Sequence, residues 1–181
     1  PAKRNALSVE MRIDLHAALE AAMQDDSCRA IILTGAEGGF CAGGQLKTGP
    51  DAPPPDAERT RKNVAILHDI ARLLLTGPKP TFAAVDGAAF GAGFSLAAAC
   101  DFVIATPEAN FCAAFCKVGL VADAGLMWSL PQRIGPGRAR DIIMTGRVVK
   151  AEEAAWIGLV NKIVAPDALL EETLAQADRF A

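Results

Sequence analysis

At 181 residues the chain has the length of one domain, and its 51% hydrophobic content is enough to close a substantial core. With 18 Lys and Arg against 21 Asp and Glu the net charge is −3, so composition offers no basic footprint for nucleic acid. No apolar run reaches the ~18 residues of a membrane-spanning helix and nothing resembles a signal peptide. Cys28, Cys41, Cys100, Cys112 and Cys116 are odd in number and contain no C-x-x-C. That pattern argues against a metal site and for free thiols in a reducing cytosol.

Ser8 is a candidate N-cap, and Val9, Ile13, Leu15, Leu19 and Met23 form the apolar face of a helix ending near Asp25-Asp26. His16 within it reads as an ordinary helix histidine. Arg29 to Gly35, RAIILTG, is a strand that runs into a glycine-rich turn, AEGGFCAGGQLK. Three consecutive prolines in TGPDAPPPD, residues 48 to 56, predict a surface loop. Val64, Leu67, Ile70 and Leu74 mark a second amphipathic helix from Ala57 to Gly77-Pro78, and His68 on it is also read as structural.

Thr81 to Val85 is a strand bounded by Pro80 and Asp86-Gly87. Gly87, Gly91 and Gly93 follow, and the small apolar run from Leu96 to Cys100 suits a helix packed closely against other backbone. Further on come a strand over Phe102 to Ala105 and an extended piece at Asn110 to Cys112. Short helices follow at Ala139 to Met144 and Glu152 to Trp156, then a strand over Gly158 to Val164 and a last helix opened by Pro166. Strands alternating with helices predict an α/β fold without internal repeats.

A strand followed by a glycine turn occurs twice, and glycine lets backbone amides approach a ligand oxygen. Each turn alone is also what any tight bend requires. The G-x3-G-x-G spacing of Gly87, Gly91 and Gly93 lacks both the dinucleotide and the P-loop fingerprints. Gly93-Phe94-Ser95-Leu96-Ala97 nearly spells a serine-hydrolase elbow, but both histidines precede Ser95. What remains is a carbonyl oxygen that becomes an oxyanion, held by N–H donors from two turns.

The segments FCAGGQLK and KPTFAAVDGAAFGAGFSLAAACD resemble the two oxyanion segments of the crotonase (enoyl-CoA hydratase/isomerase) superfamily. The similarity runs from PAKRNALS through FCAAFCKVGLVADAGLMWSLPQRIG to MTGRVVKAEEAAWIGLVNKIV, essentially the whole chain. It implies a ClpP/crotonase-type β-β-α spiral in one core domain over residues 1–181, without the family's first strand and C-terminal helical segment. It also implies an acyl-CoA thioester substrate, no separate cofactor, a cytoplasmic location and a homotrimer or dimer of trimers. Carried across by position, the oxyanion donors are the amides of Ala42 and Ala92.

Two glutamates of typical hydratases fall at Ser95 and Phe115, neither of which transfers a proton at neutral pH. Asp123, set among Val121, Ala122 and Ala124, is either a helix cap or a general base whose pKa is raised by apolar surroundings. VGLVADAG is similar to the segment carrying the catalytic aspartate of dienoyl-CoA isomerases and of the ring-expanding isomerase of phenylacetyl-CoA catabolism. The resemblance therefore implies an enoyl-CoA isomerase with Asp123 as proton shuttle. A hydratase with a non-standard base and a non-catalytic acyl-CoA binder are the alternatives. Lys3, Arg4 and Lys47 are candidates for the CoA phosphates, or simply solvated surface charges, and Gln45 stands where many relatives have Asp.

Overall fold

The computed structural model describes residues 4–45 and 56–180. Helix α1 (Val9–Gln24) starts as expected at Ser8, whose Oγ accepts the Met11 N–H at 3.2 Å, and it leads to strand β1 (Ile31–Thr34). Helix α2 (Ala57–Thr76) precedes β2 (Thr81–Val85), β3 (Ala88–Phe90) and α3 (Ala92–Ala99). Then come β4 (Phe102–Ala105), β5 (Asn110–Cys112), α4 (Leu126–Ile134), α5 (Pro136–Thr145) and β6 (Val148–Lys150). Helix α6 (Ala151–Trp156), β7 (Lys162–Ile163) and α7 (Leu169–Ala177) close the described chain.

Two sheets form. One has the order β1-β2-β4-β7, parallel throughout; the other has the order β3-β5-β6, in which β3 and β5 are parallel. Each turn of the chain places a strand in the larger sheet, then a piece in the smaller one, then a helix. The first turn uses β1, the Cys41 bridge to Ala89 and α2; the second uses β2, β3 and α3; the third uses β4, β5 and α4–α5. This is the β-β-α spiral. All five residues of β2 are buried, as a parallel strand covered on both faces requires. The main core lies on one side. On the other, α7 covers a smaller cluster in which Phe82 stacks on Phe102 at 4.9 Å and Phe180 closes at 4.8 Å from Phe102.

Two expectations need correction, and a third falls almost wholly outside the described residues. The connection between β2 and α3 contains β3, and α3 starts at Ala92 rather than Leu96. Three residues, Ala-Ala-Phe between glycines, are too few to show a period. The strand expected over Gly158 to Val164 is only Lys162–Ile163, because the Leu159 and Val160 amides both return to the Ala154 carbonyl at the end of α6. Of the proline-rich loop expected over residues 48 to 56, only Asp56 lies among the described residues.

The first glycine turn is sewn to the second through main chain. Cys41 N donates to Ala88 O at 2.8 Å and Phe90 N to Cys41 O at 2.9 Å. A Cβ on Gly93 would stand 2.4 Å from Cys41 O, and one on Gly43 (φ +98°) 2.7 Å from Phe90 O. Backbone cannot retreat as a side-chain end can. Gly93→Ala should therefore lower unfolding free energy by about 1–3 kcal/mol, read as a lower denaturant midpoint at unchanged slope; an unaltered midpoint would show the contact to be slack.

Candidate active site

The Gly91 φ of +52° turns β3 sharply into α3, leaving Ala92 as the first helical residue, whose N–H has no partner within the helix. Facing it is the first turn. The opening segment clamps that turn from outside: Asn5 Nδ2 donates to the carbonyls of Ala36 (2.9 Å) and Gly39 (2.7 Å), and Leu7 pairs with Gly44 in a parallel bridge. This clamp decides which amide is free. Ala42 N donates to Arg4 O at 3.0 Å, and Gln45 N to Leu7 O at 3.1 Å. Gly43 N turns toward Cys41 Sγ at 3.4 Å. Of the four amides from Ala42 to Gln45, that of Gly44 alone is left without a protein acceptor among the described residues. The expectation for Ala42 is thereby corrected: its amide already serves the fold, and the unpaired amide lies two residues on.

Gly44 and Ala92 both line a cavity of about 750 Å³. Val9 and Arg12 of α1, Thr60, Asn63, Val64, Leu67 and His68 of α2, and the stretch from Ala114 to Asp123 complete most of its walls. Val64, Leu67, Phe115, Val118, Leu120 and Val121 make it mainly apolar, which fits an acyl chain better than a sugar or a nucleotide base.

Asp123 enters from the segment before α4. It is not a cap: α4 is capped by Gly125 without any side-chain hydrogen bond, and Asp123 Oδ1 is buried with no partner. The following Ala124 is fully buried with φ +47°, a backbone setting L-residues avoid, and it delivers the carboxylate to the cavity. Burial pushes the Asp123 carboxyl above the ordinary carboxylate range, while the positive fields of His68 and Arg12 act against that rise. Asp56 also lines the cavity, but it is exposed and its Oδ1 accepts the Glu58 N–H at the start of α2.

Sequence reasoning missed Arg12 and set His68 aside. Arg12 continues the inward face of α1 that runs through Leu15, Leu19 and Met23, and a charge on an apolar stripe was the available signal. His68 is exposed yet borders the cavity near Asp123. His16 only pairs with Glu20 along α1, at 3.4 Å. Ser95 is buried, donates its hydroxyl to Gly91 O at 3.3 Å and is not among the residues lining the cavity, whereas Phe115 lines it as an apolar side chain. Arg4 is exposed and is not among the cavity's lining residues; Lys3 and Lys47 lie outside the described residues. Among the described residues no three His, Cys, Asp or Glu side chains are grouped to hold a metal, and no helix is long and apolar enough to cross a membrane.

Residues 1–181 match the family model described as enoyl-CoA hydratase/isomerase. The chain belongs to the enoyl-CoA hydratase/isomerase family. It is 37% identical to the 1,2-epoxyphenylacetyl-CoA isomerase of Escherichia coli, covering 99% of this chain and 68% of that one. To the carnitinyl-CoA dehydratase of Proteus mirabilis it is 34% identical, over 99% and 67%. A crystal structure of an enoyl-CoA hydratase from Polaromonas sp. JS666 superposes with a TM-score of 0.91 at 38% identity, over 99% of this chain and 70% of that one. Several other relatives carry enoyl-CoA hydratase names. The crotonase-type fold is thus shared, among relatives named for isomerisation, dehydration and hydration alike.

In this crotonase-family site the Asp123 carboxyl is protonated more readily in the folded chain than in the unfolded one. Its stabilising contribution is fully present below the unfolded carboxylate's pKa and is lost as pH rises through the folded one. Asp123→Asn should therefore melt at a higher temperature than the parent near neutral pH, with a difference that shrinks as pH falls toward about 4. Thermal melts across that range would refute this if the variant melted at or below the parent at neutral pH.

Proposed function

We propose that the protein is an enoyl-CoA isomerase: it moves a carbon–carbon double bond of an acyl-CoA thioester by proton transfer through an enolate. The observation carrying this reading is that the cavity bordered by the free Gly44 and Ala92 amides has a half-buried carboxylate, that of Asp123, whose buried Oδ1 has no hydrogen-bonding partner. The thioester oxygen accepts from both N–H groups, which lowers the cost of removing a proton from C2. Asp123 takes that proton as the carboxylate, leaving an enolate whose negative charge rests on the thioester oxygen. The resulting carboxylic acid returns a proton at C4 as the double bond shifts from the 3,4 to the 2,3 position. One acid–base group serves both transfers, so no water is consumed.

Ser95 and Phe115 weigh against hydration by paired carboxylates, although hydratase names are common among the relatives. The acyl-CoA preference, the pathway and the oligomer belong to the same proposal, with a homotrimer or dimer of trimers expected from the resemblance.

Purified protein given 3-enoyl-CoA should yield the 2-enoyl isomer, and Asp123→Asn should slow this by about 10²–10⁴-fold while thioester binding persists. Undiminished turnover in the variant would remove Asp123 from the mechanism. Efficient formation of 3-hydroxyacyl-CoA from 2-enoyl-CoA would favour the hydratase, and binding without turnover of any enoyl or dienoyl thioester would favour a binding protein. Because the base must start ionised, kcat/KM should rise with pH through the elevated Asp123 pKa on the acid side; a flat acid limb down to the ordinary carboxylate range would contradict it.

A further inference from the structure

Arg12 occupies a place that packing alone does not account for. Its guanidinium borders a mainly apolar cavity, and burial works against its charge. Nη1 donates to Asn63 O at 3.3 Å, which tethers the group to α2, while Nε is buried with no partner. None of the ion pairs among the described residues involves Arg12. The neighbouring Cys41 thiol gives no counter-charge, since burial raises its pKa and keeps it neutral, and the Asp123 carboxylate favours the charged guanidinium only through space, without an ion-pair contact. Nη2, however, stands 3.0 Å from where a Cβ on Gly44 would be, so standard bond lengths place it within about 5.5 Å of the Gly44 nitrogen.

We propose that the Arg12 guanidinium is a third, charged member of the oxyanion site, stabilising the enolate oxygen alongside the amides of Gly44 and Ala92. The inference rests on the isomerase reading above and deepens it. When Asp123 removes the C2 proton, the carboxylate becomes neutral and the negative charge passes to the thioester oxygen. Arg12 interacts with the Asp123 carboxylate without an ion-pair contact and also stands beside Gly44, so the charge that leaves the acid stays within the field of the same guanidinium. A fixed cation aimed at where charge develops lowers the barrier more than it tightens substrate binding. Its desolvation is met when the protein folds rather than during turnover. Besides Arg12, His68 from α2 is the titratable group that acts on the Asp123 carboxyl.

The test uses a conjugated thioester, cinnamoyl-CoA, whose absorption shifts to the red when its carbonyl is polarised. Parent protein should bind it with a red shift. Arg12→Met, which keeps the length and loses the charge, should bind it with a smaller shift. Its kcat for double-bond migration should fall about tenfold or more, with KM changed less than about threefold. Arg12→Lys should recover part of both, and circular dichroism with thermal melts will show whether either variant has lost its fold. If Arg12→Met disturbs packing, the Lys variant carries the decision: a shift no larger than that of Arg12→Gln would overturn the proposal. Folded Arg12→Met with the parental shift and kcat would overturn it while leaving the isomerase reading intact. Parent protein with no red shift at all would overturn the oxyanion reading itself, and the role of Arg12 with it.

Discussion

Two main-chain hydrogen bonds, from Cys41 N to Ala88 O and from Phe90 N to Cys41 O, join the turn after β1 to the strand that leads into α3. Everything the cavity can do follows from that join. It brings two segments some fifty residues apart in the chain into strand-like register, so the amide at the start of α3 and the amide of Gly44 face one space. Because the contact is backbone on backbone, it tolerates no Cβ at residues 43 and 93, and it fixes the two donors more tightly than side chains with free rotamers would. The spiral of β-β-α turns provides the rigid ground beneath: β2 is buried along its whole length and paired on both edges.

Against this stiff frame the cavity carries groups that a stable core would not keep. Asp123 presents an oxygen without a partner, Arg12 a nitrogen without a partner, and Ala124 a left-handed backbone. Each opposes folding, and together they surround the two free amides. Proteins retain such departures from local consistency where function requires them. A carboxylate whose proton affinity is raised by burial is a better base, and a cation held in a poorly hydrated wall exerts a stronger field, so the costs to stability and the chemical capacity share one origin.

The regular elements were largely legible. Ser8 and the apolar stripe of α1, the β-branched run of β1 and the Pro80 and Asp86-Gly87 brackets around β2 each state a local preference that the structure keeps. The short strands β3 and β6 were not, because three residues cannot show a period and their pairing depends on partners distant in sequence. In the site, Asp123 and the second turn were marked by apolar neighbours and glycine spacing. The first turn was marked as a turn, but the spacing of Ala42, Gly43 and Gly44 cannot reveal which N–H is already engaged; the carbonyl that claims Ala42 belongs to Arg4. His68 looked like any helix histidine, since only the fold brings α2 alongside the segment before α4.

The amino-acid sequence by itself determined the α/β alternation, the two glycine turns, the absence of a carboxylate at positions 95 and 115 and the presence of one at 123, because residue identity and short-range spacing carry that information. Only the tertiary structure decided that Gly44 rather than Ala42 keeps an unpaired amide, that Asp123 points into the cavity rather than capping α4, and that Arg12 stands beside Gly44. The physical reason is that hydrogen-bond satisfaction and electric field are properties of neighbours in space, and here those neighbours come from α1, α2 and two turns that the chain visits far apart.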